Sequence, residues 1–518
     1  MEIIENKAMK ILVKHPDRIT QVIPKSKWLR EIADGIHEVL VYFGIDEMQV
    51  LKNLKLTGVR SPIAFKYNWP GIHKPFLHQL DTAEFLTLHR RCYCLNEQGT
   101  GKTASALWAA DYLMSIGKIK RCLVVCPVSI MKAAWVSDGF KTVMHRQFAV
   151  AHGTQTQRKV AINSSAEFVV INYDGVTTMK DELAGKFDLI ICDEATALKN
   201  ASTNRWKAVN RIVKPDTWVW LMTGTPAAQS PVDAYGLAKL CTPSHVPAYA
   251  GAWRDKTMIK INMFKWMPAP RAIELVNQAL QPAIRYTKAE CLDLPEMMYQ
   301  TRDVPMSKQQ EKYYKLLKTK LTMAAAGEQI TAVHAASALN KLLQISSGCV
   351  YSDTGEVVKF EANERLAEMM GVIRESSHKT VVFVPFRHAI KIVVDHIENQ
   401  GYTVASIYGN VSLNNRTEIF KNFQETPDPQ VLVIQPRSAA HGITLTAAST
   451  IIWFGPTASV ETYLQGNARI HRAGQTQKTL VVRLRSSEAE KKVYAALDGG
   501  ANNQEALMKL YEDILEGD

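Results

Sequence analysis

Residues 96–103 read Asn96-Glu97-Gln98-Gly99-Thr100-Gly101-Lys102-Thr103, and an Ala- and Leu-rich segment of helical pattern follows. Gly99 and Gly101 free the backbone to turn its N–H groups toward a polyphosphate. A helix beginning near Lys102 adds the positive end of its dipole. In such a loop Lys102 reaches the outer phosphates and Thr103 holds Mg2+ through its hydroxyl. Asn96 stands where the pattern Gly-x4-Gly-Lys-Ser/Thr usually starts with glycine. A phosphate loop of this kind joins a strand to a helix, so the stretch predicts an α/β fold and a bound nucleoside triphosphate, with residues 97–103 as its contacts.

Outward from the loop, short apolar runs recur, each ending at a polar or Gly/Pro turn: Cys122–Pro127, Phe168–Ile171, Leu189–Cys192 and Val219–Met222. Amphipathic stretches such as Ser105–Ile116 and Ser129–Phe140 separate them. Buried strands alternating with helices predict a doubly wound parallel sheet with its ligands at the carboxyl ends of the strands. The same texture returns at Thr380–Val384, Val431–Ile434, Ile451–Phe454 and Leu480–Leu484. The expected architecture is therefore two parallel-sheet lobes, 71–245 and 356–518. A helical bridging region, 246–355, has Gln309–Leu317 and Thr331–Ile345 as its clearest helices. Residues 1–70, with strand-like Ile11–Val13 and Glu38–Phe43, form a small N-terminal accessory domain.

A chain of 518 residues exceeds what one hydrophobic core supports. Hydrophobic content of 46% and charged content of 22% describe an ordinary globular protein. No segment approaches the roughly 20 apolar residues that cross a bilayer, and Met1–Lys10 has no secretory pattern. Residence in the cytosol is the expectation, with no membrane partner. The eight cysteines lie mostly inside apolar runs and make no CxxC pair, so they are read as reduced packing residues. A net charge of +12, spread along the chain, favours a polyanionic partner.

The companions of the loop narrow the chemistry. Leu189–Cys192 runs into Asp193-Glu194-Ala195-Thr196, a strand ending in two acids. Asp193 is assigned to the Mg2+ ion and Glu194 to the base that activates the attacking water. Thr223 and Thr225, in the small-residue turn after Val219–Met222, are placed to sense the γ-phosphate. Late in the chain stands the segment Gln465-Gly466-Asn467-Ala468-Arg469-Ile470-His471-Arg472-Ala473-Gly474-Gln475. Arg469 and Arg472 are three apart and on a helix would share one face. Guanidinium groups brought from a second lobe stabilise the transferring phosphoryl group only when the lobes close.

Over about 71–500 the chain resembles the superfamily-2 helicase-type ATPases, and within them the Swi/Snf-like DNA translocases of compact bacterial or bacteriophage type. Further matching stretches are His78-Gln79, Val125–Ser129 with Trp135, Leu198-Lys199-Asn200, and Leu294-Pro295 with Gln309 and Tyr313. Beyond these come Tyr408-Gly409 with Arg416 and Phe423, and His441–Ala448. Departures are Asp-Glu-Ala-Thr in place of the family's DEAH or DEGH, and Ala468 where glycine is expected. The resemblance implies two RecA-like lobes, ATP and Mg2+, adenine reading by Gln79, a nucleotide contact at Gly442, and Gln465 beside Arg469 and Arg472 among the catalytic groups. It implies duplex or branched DNA as partner, gripped through phosphates by loops 127–132, 172–175, 385–388 and 438–444. A monomer is the expected state. Three readings stand open: a DNA translocase, a strand-separating helicase on DNA or RNA, and a non-catalytic ATP-gated clamp.

Overall fold

The computed structural model describes residues 1–498 except 57, 228–229, 262–265, 292–293, 328–331, 352–356, 410 and 440–442. The chain divides into two compact units, Met1–Cys291 and residue 292 onward.

The first unit begins with an antiparallel four-stranded sheet. Its strands are β1 (Glu2–Ile4), β2 (Ala8–Val13), β3 (Ser26–Ala33) and β4 (Ile36–Tyr42), in the order β1-β2-β4-β3. Alternate residues Met9, Ile11, Val39 and Val41 point into a small core that also takes Met48 and Leu51 from the helix Ile45–Asn53. This period-two burial, one face in and one face out, is the mark of a sheet covered on one side.

The main sheet of this unit has seven strands, all parallel. They are β5 (Arg91–Cys94), β6 (Cys122–Cys126), β7 (Phe148–Ala151), β8 (Phe168–Asn172), β9 (Leu189–Asp193), β10 (Trp218–Met222) and β13 (Ala283–Ile284). A hairpin of β11 (Met258–Lys260) and β12 (Trp266–Pro268) precedes β13. The sheet order is β13-β5-β10-β9-β6-β8-β7. Strands β6, β8, β9 and β10 are buried at every position, because helices cover both faces. On one face Cys92, Cys94, Val124, Ile191 and Trp220 pack under the helices Leu77–Leu88 and Lys102–Ser115. On the other, Tyr93, Val125, Ile190 and Leu221 pack under Tyr173–Leu183, Asn204–Ile212 and Ala234–Cys241.

Register places the chemistry. Met222 pairs with Cys94 on one side and with Asp193 on the other. The carboxyl ends of β5, β10 and β9 therefore lie in line at the usual spacing of about 4.8 Å. The loops that leave them carry Asn96–Thr103, Thr223–Thr225 and Glu194.

The second unit has a six-stranded parallel sheet of β14 (Met297–Asp303), β17 (Lys379–Phe383), β18 (Val404–Ile407), β19 (Val431–Ile434), β20 (Ala448–Trp453) and β21 (Thr479–Arg485). Its order is β14-β21-β20-β17-β19-β18, with an apolar core on each face. Strands β15 (Cys349–Tyr351) and β16 (Val357–Lys359) form a separate hairpin.

Two α/β lobes with parallel sheets are thus present. The segment expected to bridge them, 246–355, is divided between the units. Helix Ala272–Ala279 and β13 belong to the first, where Val276 and Ala279 enter the core. Strand β14 and the helices Lys308–Gly327 and Ala332–Ser346 belong to the second, whose core takes Leu339, Leu342 and Leu343. The expected helix over 129–140 is instead three pieces: a 3-10 turn Val128–Ile130, a π-helical turn Met131–Val136 and an α-helix Ser137–Thr142. All eight cysteines are free, and every one except Cys291 is buried.

Candidate functional site: a phosphate loop beside an acidic strand end

Gly99 and Gly101 adopt φ of +88° and +84°, the left-handed region that a side chain disfavours. Gly101 caps the helix Lys102–Ser115. A Cβ at this position would come within 2.0 Å of Gln79 Nε2, so crowding adds to the backbone reason for glycine. Among the described residues, the N–H groups of Gly99 through Thr103 find no acceptor within the protein. Five donors around a helix N-terminus suit a polyphosphate. Lys102 Nζ donates to the carbonyl oxygens of Asn96 at 2.9 Å and Glu97 at 3.2 Å, folded back across its own loop.

Asn96 is 1% exposed and does what glycine could not. Its amide donates to the Thr82 hydroxyl at 2.8 Å, and its side-chain oxygen accepts the N–H of Tyr286 at 3.0 Å. Glu97 is tied to the same edge segment: its N–H donates to the Tyr286 carbonyl, and its carboxylate accepts the Lys288 N–H. The Tyr286 hydroxyl donates to Asp81 at 2.8 Å, and burial followed by that bond pushes its pKa up to about 12.

Gln79, expected to read adenine, has both ends of its amide engaged within the protein. Its oxygen accepts the Phe76 N–H at 3.0 Å, and its nitrogen donates to the Thr100 carbonyl at 3.2 Å, which His78 Nε2 also approaches at 2.8 Å. In this state Gln79 braces the loop against the helix Leu77–Leu88.

At the end of β9, Asp193 is 7% exposed. Its Oδ2 accepts the indole N–H of Trp135 at 3.0 Å and its Oδ1 accepts the N–H of Glu194 at 3.0 Å. Tyr173 donates its hydroxyl to the Asp193 carbonyl at 2.8 Å, and burial holds that phenol protonated, its pKa far above the ordinary value. Glu194 has φ 50° and ψ 53°, the left-handed conformation, rare for a residue with a side chain and costing about 1–3 kcal/mol. That strain turns the chain sharply out of β9 and starts the 3-10 turn Ala195–Leu198. Gln98 Nε2 lies 3.4 Å from Glu194 Oε1, so the loop and the acid pair touch. Gly224 packs on the loop from the β10 side, its Cβ position 3.5 Å from the Asn96 carbonyl oxygen. Thr223 is buried, and its hydroxyl accepts the Thr225 N–H.

Among the described residues no cluster of three or more His, Cys, Asp or Glu could hold a metal ion. A Mg2+ that arrives with a nucleotide takes one or two protein oxygens and the phosphates, and Thr103 with Asp193 fit that smaller requirement.

In the second unit, the helix Val460–Asn467 ends before the arginines. The expected shared helix face is replaced by tight turns, Arg469 N–H to the Gly466 carbonyl and His471 N–H to that of Asn467. Gly466 is pressed against Phe383 and Trp453, and the Leu445 N–H donates to the Arg469 carbonyl. These contacts draw the chain off the helix axis. Arg469 is 6% exposed, Gln465 is buried with its amide on Glu461, and Arg472 Nη1 donates to the Ile443 carbonyl at 3.1 Å. Gln475 fixes the turn through the Ala448 and Ile470 carbonyls. Gly442 lies outside the described residues.

Thr82 and Tyr286 are functional neighbours that sequence reasoning did not place. Trp135, named within a matching stretch, and Tyr173, within the 172–175 loop, were singled out without their bonds to Asp193; for Trp135 a signal existed, since a buried indole N–H needs an acceptor. Tyr286 had none, being positioned by an edge strand far along the chain.

A parallel sheet with a phosphate loop after one strand and an acid pair after a near neighbour defines a P-loop nucleotide hydrolase. The comparisons with known proteins give the family. The SNF2-related domain matches residues 28–352 and the helicase conserved C-terminal domain matches 361–474. The chain belongs to the SNF2-related family, with a helicase conserved C-terminal domain following.

It is similar to the chromodomain-helicase-DNA-binding protein 1-like of Danio rerio, 25% identical over 450 residues, covering 81% of this chain and 42% of that protein. An uncharacterized ATP-dependent helicase of Mycoplasma genitalium is 24% identical over 396 residues, covering 75% and 37%. Protein p41 of Acyrthosiphon pisum secondary endosymbiont phage 1 is 24% identical over 405 residues, covering 73% of this chain and 84% of p41. The chain thus spans less than half of the first two relatives. Among solved structures, the Sulfolobus solfataricus SWI2/SNF2 ATPase core in complex with dsDNA is 22% identical with a TM-score of 0.41, covering 83% of this chain and 92% of that one. No helix among the described residues is long and apolar enough to cross a membrane.

Proposed function

We propose that the chain hydrolyses ATP and spends the cycle moving along, or remodelling, duplex or branched DNA. The observation that carries the hydrolysis is the register of Met222 with both Cys94 and Asp193, which sets the phosphate loop beside the acid pair.

Loop N–H groups 99–103 and Lys102 bind the phosphates, Lys102 exchanging its loop carbonyls for phosphate oxygens. Thr103 and Asp193 would hold a Mg2+ ion, which would supply positive charge to the nucleotide's phosphates. Glu194 orients a water and takes its proton as the oxygen attacks the γ-phosphorus. The bond to the β–γ bridging oxygen breaks, and ADP and phosphate leave. Arg469 and Arg472 stabilise the transferring charge on closure of the two units, with Gln465 and Gly442 completing the second unit's share. Gln79 turns from the Thr100 carbonyl to the adenine when the nucleotide binds. DNA is gripped through its phosphates by segments leaving the carboxyl ends of strands in each unit, 127–132, 172–175, 385–388 and 438–444. Such contacts give little base readout and a steep salt dependence. The family membership and the +12 charge support DNA as the track.

The test is ATP turnover with single-stranded, duplex, forked and four-way DNA and with RNA. Duplex-containing DNA is expected to stimulate well above single strands or RNA, and the opposite order overturns the substrate assignment. Glu194→Gln is expected to bind ATP and lose turnover at least about 100-fold. Near-normal turnover in that variant removes Glu194 from its role.

A further inference from the structure

A side-chain donor to the Asp193 carboxylate comes from a segment that also reaches solvent. Trp135 is fully buried, and its indole N–H meets Asp193 Oδ2 at 3.0 Å. It sits in the π-helical turn Met131–Val136, directly after the 3-10 turn Val128–Ile130. One side of this segment is open: Ser129 is half-buried and Lys132 exposed, a hydroxyl and an ammonium of the kind that take phosphate oxygens. The other side is locked, with Ile130, Met131 and Trp135, interleaved with them in sequence, all under 4% exposed.

A π-helical turn holds one residue more than an α-turn. Relaxing it to α-geometry slips the following residues by about 100° around the axis. An α-helical arrangement of the same turn would therefore carry Trp135 to a different position. Trp135 rides on it, and an indole N–H can only donate, so its position decides how Oδ2 of Asp193 is held.

We propose that Trp135 is a positioning residue that couples occupancy of the 127–132 loop by a phosphate backbone to the metal affinity of Asp193. The coupling rests on the proposed function above, which makes Asp193 the Mg2+ ligand and that loop a DNA contact. Donors to a metal-binding carboxylate commonly change metal affinity or activity 10–100-fold when removed. Coupling between two binding sites is reciprocal, so duplex that seats Trp135 must also tighten Mg2+.

The experiment measures the Mg2+ affinity of the ADP-bound protein by calorimetric titration, and the Mg2+ concentration for half-maximal ATP turnover, each with and without saturating duplex DNA, in the unsubstituted protein and in Trp135→Phe. In the unsubstituted protein duplex is expected to tighten Mg2+ and lower its requirement severalfold. In Trp135→Phe the requirement is expected to rise about tenfold and to become the same with and without duplex. A merely structural role for Trp135 would lower the melting temperature and leave the duplex-dependent Mg2+ shift in place, and that result overturns the proposal. A requirement indifferent to duplex in the unsubstituted protein also overturns it, whether or not the variant folds. Turnover that duplex fails to stimulate at saturating Mg2+ would instead strike the underlying function, and the coupling with it.

Discussion

The side-chain oxygen of Asn96 accepts the main-chain N–H of Tyr286 at 3.0 Å across 190 residues of sequence, fastening the phosphate loop to an edge strand. With the Thr82 hydroxyl bonded to its amide, Asn96 is engaged on both its donor and its acceptor side in a buried position. Asn96→Gly would complete the usual phosphate-loop pattern, yet it removes the acceptor of the part-buried Tyr286 N–H and a donor to the buried Thr82 hydroxyl. Each such loss costs about 1–3 kcal/mol, and the glycine adds backbone entropy to the unfolded chain. The expected outcome is a first unit destabilised by at least about 2 kcal/mol, read by denaturant unfolding, with weaker ATP binding. A variant as stable as the parent contradicts this account of Asn96.

Gly101→Ala tests the loop from its other end. A methyl there meets Gln79 Nε2 at 2.0 Å, on a backbone at φ +84°. The variant has to expel the Gln79 amide from the Thr100 carbonyl, or twist the cap of the helix that carries Lys102. Nucleotide affinity, measured by calorimetry, is expected to fall at least about tenfold, and the left-handed strain alone costs about 1 kcal/mol or more. Gln79→Ala on top of it removes the clash and should recover stability, read by thermal unfolding, without restoring the adenine contact proposed for Gln79.

How far the sequence disclosed this arrangement follows from burial. Strands β6, β8, β9 and β10 are covered on both faces and so read as unbroken apolar runs, which made the first sheet legible. Edge strands lack that signal: β13 has two residues, and β14, Met-Met-Tyr-Gln-Thr-Arg-Asp, is mostly exposed. The segment 246–355 therefore looked like a helical bridge although it supplies an edge to each sheet. Loop and acid pair were legible because their chemistry is local in sequence. Asn96 to Tyr286 and Trp135 to Asp193 were not, since tertiary packing alone brings those pairs together. The π-helical turn at 131–136 escaped for the same reason: its amphipathic pattern fits an ordinary helix.

Arg365 and Glu490 form a buried ion pair in the second unit, with side chains 2% and 0% exposed and the charged atoms 2.6 Å apart. Glu490 also accepts the N–H groups of Ser486 and Ser487, and Arg365 donates to Ser486. Arg365→Met leaves a carboxylate buried without its countercharge, which costs about 3–5 kcal/mol. Replacing both partners, Arg365→Met with Glu490→Leu, removes the charge as well and should recover much of that. Because the chain folds as two units, unfolding followed by a probe in each is expected to show the second transition moving and the first holding its midpoint. A loss shared equally by both transitions would mean that this pair does not act within its own unit.

Arg472 offers the sharpest separation of binding from chemistry. Its Nη1 holds the Ile443 carbonyl at 3.1 Å, so Arg472→Ala forfeits that hydrogen bond, about 1 kcal/mol, among its contacts. The role proposed for Arg472, a contact to the γ-phosphate made only on closure, would contribute to the transition state and little to the ground state. Removing such an arginine lowers turnover by about a thousandfold or more, while ATP affinity, measured by equilibrium binding, stays within a few-fold of the parent. Arg472→Lys restores charge without the planar fork and should recover only a small part of the rate, because bidentate contact to a phosphoryl group needs the guanidinium. A large fall in ATP affinity, with turnover at saturating ATP preserved, would recast Arg472 as a ground-state binding group and remove the dependence of hydrolysis on closure.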